Sequence, residues 1–170
     1  GDITGRNQWD TLDRKFIIRF FVDRTGQRIV DLDGYYNPEV NSPLNVAARL
    51  QQANLKILEP FLEGLFSNIG GTVTGNFRIL GTLQAPEIDG EGDVTDGELM
   101  IDYLKTNYRF TGAIGLSPYS IYFKNIVLTD MFNNKGLLSG TIAHRNFYRM
   151  RINIDASFQN LQVLNTSPRD

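Results

Sequence analysis

The chain has 170 residues, enough for one domain with a real core, and 41% hydrophobic with 21% charged residues is an ordinary soluble composition. Seventeen basic against nineteen acidic residues leave a formal charge of −2, with no global field or basic stripe to gather nucleic acid or an anionic membrane. Cysteine is absent, which excludes disulfides, thiolate metal sites and cysteine catalysis. No apolar run approaches the roughly 20 residues of a membrane-spanning helix. The opening residues carry no signal-peptide pattern, and the chain is expected to be an excised piece of something longer.

Residues 1–12 show no periodicity and are expected to be an irregular lead-in to a single β-rich domain over 13–170. KFIIRFFVD (15–23) alternates, with Phe16, Ile18, Phe20 and Val22 on one face and Arg19 on the other. A tight turn at TGQ (25–27) leads into RIVDLDGYY (28–36), where Val30 and Leu32 face inward between Asp31 and Asp33, which predicts a hairpin. After the loop between Pro38 and Pro43, LNVAARL (44–50) alternates again through Leu44, Val46, Ala48 and Leu50.

The period then changes. LKILEPFLEGLF (55–66) spaces Leu55, Leu58, Leu62 and Leu65 by three or four residues, the spacing of a helix. Pro60 fits only a first turn, so a short helix over about 59–67 is expected, ended by Gly70-Gly71. Beyond it the pattern is β throughout. Of the 16 glycines, 11 lie between 70 and 140 and read as punctuation between short strands. The last stretch, RMRINIDASF (149–158), alternates without a break: Met150, Ile152, Ile154, Ala156 and Phe158 oppose a polar face. The predicted class is mainly β, an antiparallel meander.

No constellation for catalysis is visible, and no enzyme activity or cofactor is expected. The one histidine, His144, lies beside a turn signal and reads as a half-exposed residue at a strand end. In DGEGDVTDGE (89–98), Asp89, Glu91, Asp93 and Asp96 have the oxygen chemistry of a calcium loop. They lack its spacing, and Asp beside Gly is ordinary β-turn composition. His144, Arg145, Arg149 and Arg151 read as a solvated sheet surface rather than an anion site. Asn165 opens an N-x-S/T sequence too short to weigh.

The informative feature is the number of strands with one apolar face. It collects Phe16, Ile18, Phe20, Val22, Val30, Leu32, Leu44, Val46, Ala48 and Leu50. It continues through Val73, Phe77, Ile79, Leu83, Ile101, Ile121, Phe123, Ile126, Leu128, Ile142, Met150, Ile152, Ile154 and Phe158. Burying a large apolar side chain is worth about 1.5–3 kcal/mol, so this set does not stay in water. Two arrangements cover it: a closed sandwich of two sheets, or one sheet curled lengthwise into a U around an apolar groove. Alternation alone does not separate them.

From about Leu44 to Asp170 the chain resembles the C-terminal region of the TamB family in its Bacteroidota form. The elements that carry the resemblance are LEPFLEGLFSNIGGTVTG, GTLQAPEIDGEGDVTDGEL, DYLKTNYRF, IYFKNIVLTD, LLSGTIAHRNF and NLQVLNTSPRD, in that order. The resemblance implies a β-taco, a curled sheet with an apolar inner groove, as in the AsmA-like and other bridge-like lipid transfer proteins. It implies a piece of a long periplasmic protein tethered to the inner membrane, whose groove carries phospholipid acyl chains between inner and outer membrane. The implied partner is TamA or another BamA-like outer-membrane protein, met through parts outside this stretch. Two other readings stay open: a β-edge assembly module for outer-membrane proteins, and a purely structural β-sandwich.

Overall fold

The computed structural model describes residues 1–59, 66–145 and 148–158. Ten strands follow one another: β1 (Asp2–Asp10), β2 (Lys15–Arg24), β3 (Gln27–Tyr36), β4 (Leu44–Asn54), β5 (Phe66–Gly81), β6 (Pro86–Ile101), β7 (Thr106–Ser117), β8 (Ser120–Thr129), β9 (Lys135–Arg145) and β10 (Tyr148–Phe158). All ten form one antiparallel sheet in strict sequence order, with β1 and β10 outermost among the described residues. The sheet is therefore a single open meander, not the paired sheets of a sandwich.

The hairpin β2–β3 and the start of β4 fall where alternation places them. Three expectations need correction. Residues 2–10 are not an irregular lead-in but strand β1, paired with β2 from Asp2↔Asp23 to Asp10↔Lys15. Both faces of this edge strand stay largely in water, so burial imposes no alternation on its sequence. The helix expected over 59–67 falls mostly on 60–65, outside the described residues. Its flanks are a 3-10 turn, Leu55–Leu58, and strand β5, which already holds Phe66 and Ser67. The Asn54 side chain caps the 3-10 turn by accepting the Lys56 N–H at 2.8 Å. Gly70 and Gly71, expected to end a helix, lie inside β5.

The third correction concerns the glycines. The glycines expected to divide short strands do not divide this stretch: β6 runs through Gly90, Gly92 and Gly97 as one 16-residue strand. Asp89, Glu91 and Asp93 consequently lie along a strand rather than in a turn.

Long strands must bend to curl a sheet, and here they bend at β-bulges. Register shifts fall between Leu50 and Ala53 in β4, around Gly70 in β5, between Val94 and Gly97 in β6, between Thr111 and Ile114 in β7, and between Phe123 and Ile126 in β8. A bulge bends its strand and strengthens the local twist. Because these shifts are opposite one another on successive strands, they form a crease from β4 to β8 that divides the sheet into two arms. Gln52, Asn68, Asp96 and Asn125 take left-handed backbone at the crease (φ 49 to 54). Gly71, at φ 93, meets the bulge of β6 so closely that a Cβ would stand 2.4 Å from the Asp96 carbonyl oxygen.

Bulge amides that leave the ladder find side-chain acceptors. The Gln52 N–H donates to Thr74 Oγ1 at 3.0 Å and the Asn125 N–H to Ser139 Oγ at 2.8 Å. The Ile69 N–H donates to Glu59 Oε1 at 3.3 Å. The deepest packing follows the same line. Ala53, Leu55, Ile69, Val73 and Val94 form one cluster beside the bulges, and Tyr108, Ile126 and Leu128 a second on the shorter arm. Val94 is only 1% exposed and Ile126 3%. Among the described residues, side chains of this one sheet, with Leu55 of the 3-10 turn, pack over one another, the arrangement of a curled sheet.

Candidate functional site

Cross-strand partners in an antiparallel sheet point to the same side, so the register decides which side chains share a face. One row runs Gly5, Phe20, Leu32, Ala48, Phe77, Gly90, Leu116, Ile121, Ile142, Ile152, one residue from each strand. The next runs Ile3, Val22, Val30, Leu50, Gly75, Gly92, Ile114, Phe123, Gly140, Ile154. With strands about 4.8 Å apart, each row is roughly 43 Å long.

The remaining expected residues join this face. Phe16, Tyr36 and Leu44 stand in register at one end, followed by Ile18, Gly34, Val46 and Ile79. Val73 faces Val94, Ile126 faces Leu138, and Leu128, Gly136 and Phe158 align on the shorter arm. Ile101 packs with Leu99 and Phe110 against the second cluster. Leu83 is the exception: it lies in the β5–β6 turn and is exposed, because the strand stops at Gly81 and alternation no longer applies. Met150 is in β10, but its side chain lies outside the described residues.

Exposure grades along the face. It is lowest at the crease and on β4, intermediate through much of the longer arm, and highest toward the edges, where Ile3 is 69% and Ile152 57% exposed. The face is thus packed along its fold line and over the second cluster, and opens toward the edge strands.

Sequence reading missed Ile88, Val94, Leu99, Phe110, Ile114, Leu116 and Leu138, which share the same face. The signal was present in β6 and β7, where Ile88, Gly90, Gly92 and Val94 alternate with acids. Glycine at every inward position of the centre hid it. Aromatic rings from neighbouring strands occupy the space these glycines leave: Phe77 lies over Gly90 and Gly92, Phe110 over Gly97, and Phe158 over Gly136.

Polar groups are held by local contacts. His144 is buried at the end of β9, not half-exposed, because it continues the inward parity of Ile142. Burial lowers its pKa. Asp130, also buried, accepts the Phe132 N–H at 2.8 Å, the Asn134 N–H at 2.9 Å and the Asn134 side-chain amide at 3.0 Å, and so fixes the β8–β9 loop. The Tyr108 phenol is pushed up, first by burial and then by the charge of Asp130. On the polar face, Tyr122 lies over Gly115 and donates to Glu91 Oε1 at 2.9 Å, which raises its pKa. The four acids weighed as a calcium loop do not converge: Asp89, Glu91 and Asp93 alternate outward along β6, and Asp96 sits in its bulge.

No protein-family model, curated protein or solved structure matches the chain.

Proposed function

We propose that this chain is a segment of a periplasmic lipid-transfer bridge of the TamB kind, whose creased apolar face carries phospholipid acyl chains between inner and outer membrane. One observation supports the reading above all: two apolar rows continue through all ten strands and become accessible away from the crease, toward the edge strands. Apolar contact is non-directional, so such a face holds an acyl chain without fixing it at one point. Rows running across the strands give the chain a path along the axis of the curl. The crease supports the same reading, since bulges aligned on successive strands produce a trough rather than a flat sheet.

Photo-reactive residues in place of Phe20, Phe77 or Ile152, followed by mass analysis of the adducts formed in cells, test it. Phospholipid adducts from all three are expected. The outermost strands β1 and β10 favour a second reading, an assembly module that pairs with strands of outer-membrane proteins. Protein adducts at backbone positions of β1 or β10, with no lipid on the apolar face, would replace the first reading by the second.

A further inference from the structure

A cleft of about 700 Å³ lies on the polar face of the shorter arm, opposite the apolar rows, and its lining includes Asp96, Glu98, Arg109, Thr129, Asn133 and Lys135. In register Glu98 stands opposite Arg109, Arg109 opposite Thr129, and Thr129 opposite Lys135. An acid, a base, a hydroxyl and a second base therefore follow at steps of about 4.8 Å. Opposite charges on neighbouring strands ordinarily pair. Among the described residues, the ion pairs involve Arg14, Lys15, Arg19 and Arg28, and none includes Asp96, Glu98, Arg109 or Lys135.

Arg109 is anchored elsewhere. Its Nη2 donates to Asn133 Oδ1 at 2.5 Å. Asn133 has left-handed backbone (φ 65) within the loop that the Asp130 carboxylate fixes. A buried acid thus shapes a loop, the loop presents an asparagine, and the asparagine holds the guanidinium without neutralising it. Two cations and two carboxylates face one opening with their charges unspent.

We propose that this cleft binds a zwitterion with a phosphate at one end and a primary ammonium at the other, the chemistry of a phosphoethanolamine group. Arg109 and Lys135 take the phosphate; Asp96 and Glu98 take the ammonium. A simple anion gains from the cations and loses to the carboxylates, and a simple cation does the reverse. A ligand with both charges gains at both ends, and guanidinium offers paired N–H donors to phosphate oxygens. The group occurs free in solution and as the headgroup of an aminophospholipid. Only the second source rests on the lipid-transfer reading.

The test is calorimetric titration of the whole chain with O-phosphoethanolamine, inorganic phosphate and ethanolamine in turn. Saturable binding of phosphoethanolamine, at least about tenfold tighter than either fragment, is expected. Arg109→Gln and Glu98→Gln should each weaken it about tenfold or more, while Arg49→Gln, an exposed charge on β4, leaves it unchanged. Sedimentation with phosphatidylethanolamine-containing vesicles against pure phosphatidylcholine vesicles separates the sources. Arg109-dependent capture by the former assigns the lipid headgroup, and soluble binding without capture assigns the free compound. Equal affinity for all three solutes, no saturable binding, or wild-type affinity in Arg109→Gln overturns the site. Acyl adducts on the opposite face are a separate readout, so the site and the groove can fail independently.

Discussion

Replacing Ile152 and Ile154 together by aspartate separates carrying lipid from staying folded. These residues end the two long rows on edge strand β10 and are 57% and 42% exposed. Full burial of an isoleucine is worth about 1.5–3 kcal/mol, so at these exposures the pair contributes about 2.5 kcal/mol. Edge carboxylates remain hydrated, which keeps the added charge cost small. For a domain of this size the loss corresponds to a fall in Tm of about 5–10 °C. The rows, in contrast, acquire two charges in the proposed path of an acyl chain. Phe123 reports on that path, because it faces Gly140 and Gly140 faces Ile154. With a photo-reactive residue at position 123, the double variant should remain folded by thermal scan and lose lipid adducts about tenfold. Val94→Asp, at a site 1% exposed, should instead unfold the domain. Undiminished lipid adducts in a folded double variant would refute the groove. A cooperative transition missing altogether would refute the magnitude derived from exposure.

The crease gives a second expectation: Gln52→Gly relieves a left-handed φ of 51 and should stabilise by about 0.5–1 kcal/mol, while Thr74→Val strips the bulge amide of its acceptor and costs about 1 kcal/mol, both read by denaturant titration. Gly92→Ala places a Cβ 2.9 Å from Val73 Cγ2 and 3.1 Å from Phe77 Cζ, and should destabilise by about 1–3 kcal/mol in the same titration. Asp130→Asn weakens the β8–β9 loop and removes one of the causes that raise Tyr108, so ultraviolet titration should show that phenol ionising at lower pH. For His144, burial depresses the folded pKa below the unfolded value of about 6.5. As pH falls through 6.5 the unfolded chain takes up the proton first, so stability declines until the folded pKa is passed. His144→Gln should flatten that part of the stability–pH profile measured by denaturant titration.

Strand positions in β2 and β10 were legible because one face of each alternates apolar residues without a glycine. The assignment of nearly every expected apolar residue to one face was legible for the same reason: a period of two leaves no choice of side once a strand is paired. β1 was hidden by exposure. β6 was hidden by its glycines, which resemble turn signals when neighbouring strands are out of view.

The linear sequence therefore determined an antiparallel β meander and which side of each clean strand is oily. The sharing of one sheet by all ten strands, the course of the crease and the meeting of Glu98, Arg109 and Lys135 on the polar face were decided only in three dimensions. The physical reason is that a bulge and a close approach at glycine are properties of two strands together. Residues such as Gln52, Gly71 and Asp96 acquire their left-handed backbone from what stands across the ladder, and alternation along a single strand carries no record of its neighbour.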